Sequence, residues 1–260
     1  MLIFSLYALL QQALQAQSGC PSDYFIISPH LCVIDLGGAP TFCRASQMCA
    51  TFGAARGHLA FLVGRNARQI MRQLPEKTNL WLGLNQFLTE VSPSTVGWRD
   101  VDPRTPEYKT VGGEIIWSNG EPDGGDPIII SKCKNAIMYD CSTTCDWVTL
   151  SVFCEYGGPL PTGILRQMYH SEFPMRLANF IETDPNWFGC YQDVDAFSAL
   201  DCAHKCTTDV ACRSIYYDPS NGDAARRCVH MMYADARLCS TVKSDKAEWR
   251  RYAKTSYVGN

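Results

Sequence analysis

Several things are missing from this 260-residue sequence, and each absence removes a class of function. No segment of eighteen apolar residues follows the N-terminus, and the run Leu2 to Leu10 is too short to span a bilayer. A strong excess of one sign of charge is missing too. Lys and Arg total 23 against 26 Asp and Glu, a formal net charge of -3 that gives no footprint for nucleic acid or an acidic membrane. The basic pairs Arg226-Arg227 and Arg250-Arg251 are isolated and read as solvated surface. No GxSxG, HExxH or P-loop pattern occurs. His58, His204 and His230 read as packing or surface groups rather than general bases, so the chain is not expected to be an enzyme. No Asn-x-Ser/Thr acceptor is present, and none of the cysteines forms a CxxC pair.

What is abundant is cysteine, with fourteen residues. An even count with close spacings and no ligand-spaced histidine reads as a disulfide framework of an oxidising compartment, not as zinc sites. The apolar run at Leu2 to Leu10, followed by Leu14-Gln15-Ala16, reads as a secretory leader cleaved near Ala16, although no Lys or Arg precedes it. A buried core helix is the other reading of that run. Nothing at Tyr257-Val258-Gly259-Asn260 resembles a lipid-anchor tail. The expectation is a secreted, extracellular protein without a membrane span.

Eight cysteines lie from Cys20 to Cys154 and six from Cys190 to Cys239. Between the groups runs a cysteine-free stretch that opens with Gly157-Gly158-Pro159-Leu160-Pro161-Thr162-Gly163, a breaker of helix and strand. An even count on each side lets each part close its own bridges. The expected organisation is a signal peptide at 1–16, one domain at 18–156, a linker at 157–182 and a second domain at 183–256.

In the first part, Ala45 to Phe52 predicts a helix closed by Gly53, and Asn66 to Leu74 a second one capped by Asn66. The runs Leu80-Trp81-Leu82, Ile115-Ile116-Trp117, Ile128-Ile129-Ile130 and Val148 to Phe153 predict short strands. Two helices followed by short-stranded sheets and long loops give an α+β domain. In the second part, Ser198-Ala199-Leu200-Asp201 reads as a capping box opening a helix on which Cys202 and Cys206 share a face. Cys212 to Tyr217 then predicts a strand.

Taken in order, Cys20-Pro21-Ser22-Asp23-Tyr24-Phe25 with Cys32, then Cys49, Trp81-Leu82-Gly83-Leu84, Trp98, and Trp117 leading to Glu121-Pro122-Asp123 make a recognisable frame. Cys133, Cys145 and Phe153-Cys154-Glu155 complete it over about 135 residues. The frame resembles a C-type lectin domain. The resemblance implies bridges Cys20–Cys32, Cys49–Cys154 and Cys133–Cys145, which leaves Cys43 to pair with Cys141. It also implies that Trp81, Trp98 and Trp117 are core. Trp147 and Trp187 are less constrained; packing is favoured over stacking on a sugar. The second part resembles the PAN/apple module, a small α+β domain, and by that analogy Cys202 pairs with Cys228, Cys206 with Cys212 and Cys190 with Cys239. Gly189-Cys190-Tyr191-Gln192-Asp193 is also similar to the WSC module, ranked second because that module usually has eight cysteines.

In sugar-binding C-type lectins, calcium sits on the outer residues of a Glu-Pro-Asn or Gln-Pro-Asp triplet around a cis proline, with a later Glu and an Asn-Asp pair, and the same oxygens meet sugar hydroxyls. The resemblance therefore implies Ca2+ at Glu121 and Asp123. The remaining positions depart from the pattern. The later Glu falls on Ser131, and the Trp-Asn-Asp positions fall on Asp140, Cys141 and Ser142. Asp126 and Asp140 are the substitutes at hand. Otherwise Glu121 to Gly125 is an ordinary turn. The implied function is recognition of glycans or glycoproteins, with a protein ligand as a second partner of the PAN-like part. The alternative is a calcium-independent module binding a protein or mineral surface. Glu121-Pro122-Asp123 is a hybrid triplet, so it does not name the sugar.

Overall fold

A computed structural model describes residues 19–75, 78–89, 94–132, 136–146, 148–161, 167–220, 226–242 and 248–255. The leader, Cys133, Trp147, Thr162-Gly163 and the last five residues lie outside this set. Among the described residues no helix is long and apolar enough to cross a membrane.

The first half opens with a hairpin, β1 (Phe25–Ser28) and β2 (Leu31–Gly38), pinned by Cys20–Cys32. Helix α1 (Phe42–Ala54) begins where the Thr41 hydroxyl accepts from the Arg44 amide at 3.1 Å, satisfying an N-terminal donor. Its buried side is Phe42, Ala45, Ser46, Cys49 and Gly53, a stripe at helical spacing. Gly53 therefore lies inside the helix instead of closing it. A Cβ there would stand 2.6 Å from the His58 carbonyl oxygen, so glycine is what lets β3 (His58–Leu62) pack so closely. Helix α2 is only Ala67–Met71. Asn66 does not cap it; its Nδ2 donates instead to Glu155 Oε2 at 2.8 Å.

Strand β4 (Leu80–Asn85) is buried along its whole length. Leu80, Leu82 and Leu84 pack with Trp98 and Ile70 on one face, and Trp81 packs with Phe42 and Phe87 on the other, as a period of two requires. Gly83 interrupts this series because its Cβ would fall 2.4 Å from Val101. β5 (Arg99–Asp100), β6 (Ile128–Lys132), β7 (Ile137–Cys141) and β8 (Ser151–Pro159) follow. The sheet runs β1-β2-β8-β4-β6-β7, with β3 also on β8 and β5 on β4. Ile115-Ile116-Trp117 forms no strand, only a single bridge from Trp117 to Met138. The Cys49–Cys154 bridge ties α1 to β8.

The start of the Gly-Pro segment is not a break. β8 continues through Gly157, Gly158 and Pro159, pairing Pro159 with His58. Glycine at 157 is needed because a Cβ would meet Phe61 at 2.7 Å and Leu59 at 2.8 Å. The stretch expected as linker also supplies two strands, β9 (Tyr169–His170) and β10 (Ile181–Glu182). β11 (Tyr191–Ala196), helix α3 (Ala199–Thr208), β12 (Cys212–Tyr217), β13 (Arg226–Met232), β14 (Leu238–Cys239) and β15 (Arg250–Lys254) complete the second half. Its antiparallel sheet is ordered β11-β13-β12-β15-β9, and β10 pairs β14 separately in parallel. Helix α3 starts at Ser198, whose hydroxyl accepts from the Asp201 amide at 3.1 Å, while Asp201 accepts from the Phe197 amide at 3.0 Å. Cys202–Cys228 and Cys206–Cys212 fasten its buried side to the sheet.

Three expected bridges are replaced. Cys43 bonds Cys190, so one bridge crosses between the halves and neither half closes its own set. Cys141 bonds Cys145 across a tight turn, which removes both expected partners, Cys43 for Cys141 and Cys133 for Cys145. Cys239, expected on Cys190, is a buried free thiol. The halves also meet through Arg237, which donates to the carbonyls of Phe87 and Thr89 at 3.4 and 3.2 Å, and through Arg213, which donates to that of Val101 at 3.4 Å. A cleft of about 40 Å³ lies between them, lined by Asn85, Arg99, Asp100, Asp235 and Lys254 among others.

Candidate functional site

The loop from Gly120 to Pro127 lies between the Trp117 bridge and β6, and its shape comes from its glycines and one proline. Gly120 and Gly124 have φ of +89° and +90°, a region that side chains with a Cβ avoid, and the Glu121–Pro122 peptide bond is cis. The Glu121 amide donates to the Ser118 carbonyl at 3.0 Å, which closes the entry turn. Asp140, projecting from β7 and buried, accepts from the amides of Asp123 at 3.2 Å and Gly124 at 3.1 Å. The Gly125 amide in turn donates to Asp123 Oδ1 at 3.2 Å.

These bonds draw three carboxylates together. One oxygen each of Glu121, Asp123 and Asp140 lies within 4.8 Å of the others. Burial pushes the Glu121 carboxyl up to about 7, helped by its hydrogen bond with Asp140 and the negative charges of Asp140 and Asp123. Asp126 is also raised, first by burial and then by the charges of Asp140, Asp123 and Asp184, while the Ser142 amide pulls it back. The donor set is all hard oxygen, without nitrogen or sulfur, and it carries mutually repelling charge. That chemistry suits calcium or a similar hard divalent ion better than zinc, which favours nitrogen and sulfur ligands.

The other expected positions are placed as follows. Ser131 is fully buried on β6, its hydroxyl donating to the Ile137 carbonyl at 3.3 Å, so it offers the cluster nothing. Cys141 is spent in its disulfide, and Ser142 contributes its amide to Asp126. Of the departures from the expected ligand pattern, Asp140 is the one that the backbone brings into the cluster. Trp81 and Trp98 are buried and Trp117 is half-buried against Trp98, with ring centroids 5.3 Å apart. Trp187 is buried as well, 4% exposed, so no sugar can stack on it. Its indole Nε1 donates to the Gly125 carbonyl at 3.2 Å. That contact between a loop and a residue 62 positions away carried no signal in the sequence.

A second grouping, Cys202, Cys228 and His230, is not a metal centre, because its two sulfurs are bonded to each other. His230 Nε2 faces the Cys202 carbonyl at 3.1 Å, and burial lowers its pKa. His58, also lowered by burial, pairs with the Tyr24 hydroxyl at 2.8 Å. His204 is exposed on α3.

No protein-family model and no curated protein matches this chain. Solved structures do resemble part of it. The EPNH mutant of CEL-I is 16% identical, with a TM-score of 0.39, over 53% of this chain and 96% of that one. A calcium-independent type II antifreeze protein is 14% identical, with a TM-score of 0.37, over 52% and 92%. Human lithostathine is 16% identical, with a TM-score of 0.39, over 55% and 93%.

Proposed function

We propose that the first half is a C-type lectin-like module that recognises glycans, with calcium held by Glu121, Asp123 and Asp140 and with Asp126 beside them. The observation that carries this reading is the convergence of three carboxylates within 4.8 Å on a loop whose backbone is tied to one of them. Bound calcium would offer open coordination positions to vicinal sugar hydroxyls. Glu121 and Asp123 would orient those hydroxyls through their remaining lone pairs. The proposal includes an extracellular setting, consistent with six disulfides among the described residues, and a binding role without catalysis. The second half, a five-stranded sheet with one stapled helix, is proposed as a PAN/apple-like module offering another protein or carbohydrate surface.

A calcium titration followed by thermal melting tests the ion, because a ligand bound by the native state alone raises stability. A glycan array run with calcium and with chelator tests the sugar. A rise in melting temperature at millimolar calcium together with chelator-sensitive glycan binding is expected. No shift, with glycan binding unchanged in chelator, sinks the metal-dependent form.

One observation favours a second reading. Both oxygens of Asp140 already accept backbone amides, so the loop is closed by the protein's own hydrogen bonds. A calcium-independent surface for a protein or mineral ligand would use the loop in that closed form, and binding that is indifferent to chelator would favour it.

A further inference from the structure

The acidic loop is held from outside its own half. Between Asp123 and Asp126 stand two consecutive glycines, the least restrained residues a chain can place there. Their amides are spoken for, Gly124 by Asp140 and Gly125 by Asp123. The Gly125 carbonyl is taken by the buried indole of Trp187, which arrives from the second half. Trp187 ends a short 3₁₀ turn, Pro185–Trp187, capped by the Asp184 side chain, which accepts from the Asn186 amide at 2.9 Å. Three positions further on, Cys190 is bonded to Cys43 on α1, and its carbonyl accepts from the Met232 amide at 2.7 Å on the second sheet. The segment that carries the indole is thus tied to the first half by the Cys43–Cys190 bond and to the second sheet by the Met232–Cys190 contact.

We infer that Trp187 is a positioning residue that clamps the Glu121–Asp126 loop, and that the Cys43–Cys190 bridge sets cation affinity by anchoring that clamp. The inference rests on the proposed calcium site. Its physical basis is preorganisation: with Trp187 in place, Gly124 and Gly125 are ordered before any ion binds, and the ion does not bear that ordering cost. The clamp comes from a part of the chain that contributes no carboxylate to the Glu121, Asp123 and Asp140 cluster.

The test uses the full chain, with calcium chloride titrated calorimetrically and hydrogen exchange followed at residues 121–126. Trp187→Phe keeps an aromatic ring, smaller than the indole, in the buried site and removes the donor. It is expected to weaken calcium binding roughly three- to tenfold, the worth of one hydrogen bond, and to speed exchange in the loop more than elsewhere in the calcium-free protein. The double variant C43S/C190S is expected to shift both readouts in the same direction. If it folds poorly, Trp187→Phe alone carries the test. Unchanged loop exchange in Trp187→Phe overturns the clamp whatever the calcium result. Faster loop exchange with equal calcium affinity overturns the link to the ion. No calcium uptake by the wild type, with loop exchange still faster in Trp187→Phe, overturns the cation reading while the clamp survives.

Discussion

Cys43 and Cys190 are bonded with their Cα atoms 5.5 Å apart although 147 positions separate them in sequence. The bond joins the first turn of α1 to the residue preceding β11, so it links the two halves. In the chain-entropy model a loop of that length is worth about 5 kcal/mol, and removal of native bridges typically costs about 2–5 kcal/mol. Replacing both cysteines by serine is therefore expected to lower unfolding free energy by about that amount in a denaturant melt. A non-reducing peptide map is expected to recover Cys43 and Cys190 in one linked pair. Recovery of Cys43 linked to Cys141 would overturn the crossing.

Cys239 gives a second check on the same framework. It is buried on β14, and burial pushes its thiol up to about 12, so little thiolate exists at neutral pH. Under iodoacetamide without reductant, the Cys239 peptide should stay unmodified in the native protein and alkylate once denaturant is added. Its recovery in a disulfide with Cys190 would restore the Cys190–Cys239 pairing that the sequence suggested.

Asp140 separates the two readings of the site. Asp140→Asn keeps the shape but removes a charge and turns one acceptor into a donor facing a backbone amide. On the calcium reading it should weaken calcium binding roughly tenfold or more by calorimetry. On the calcium-independent reading the calcium-free protein should melt earlier while ligand binding stays indifferent to chelator. A variant with wild-type melting and wild-type calcium affinity would remove Asp140 from the site altogether.

Glu155 sets a pH dependence. Burial, then the charge of Asp100, raises its carboxyl from the ordinary 4.5 to about 7, against hydrogen bonds from Asn66 and Gly64. The native state thus keeps this proton over a range in which the unfolded chain has lost it. Stability from this group is complete below pH 4.5 and is lost as pH rises toward 7. Asp100, raised to about 6 mainly by burial, acts in the same sense. The histidines His58 and His230, lowered by burial, act in the opposite one. Comparison with Glu155→Gln isolates the single group. Across that window the wild type should lose up to about 3 kcal/mol relative to the variant, read from urea melts at several pH values. A difference that stays flat with pH would show that Glu155 does not titrate there.

How much of this was legible depended on the range of each interaction. Strand β4 was, because Leu80, Trp81, Leu82 and Leu84 need only their own alternation to declare two buried faces. So was the start of α3, where Ser198 and Asp201 cap amides within four residues. Gly53 and Gly157 misled, because glycine reads as a break while their actual cause is a neighbouring strand pressed close from elsewhere in the chain. In the site, Glu121 and Asp123 stood out as a triplet. Asp140 drew notice only as a departure from the expected ligands, and its backbone partners are set by the path of β7 past the loop. Trp187 and the Cys43–Cys190 bridge depend on how the second half docks, which no local spacing encodes.

The crossing bridge also limits how the molecule can be divided. A fragment cut after Pro161 would keep the acidic loop and the whole first sheet, yet it would leave Cys43 as a half-buried thiol on α1 with its partner gone. Such a fragment would tend to couple to a second copy of itself or to any small thiol it met. A disulfide-linked dimer obtained that way would be a product of the cut, with an avidity created by the released Cys43 thiol and not by the native pairing.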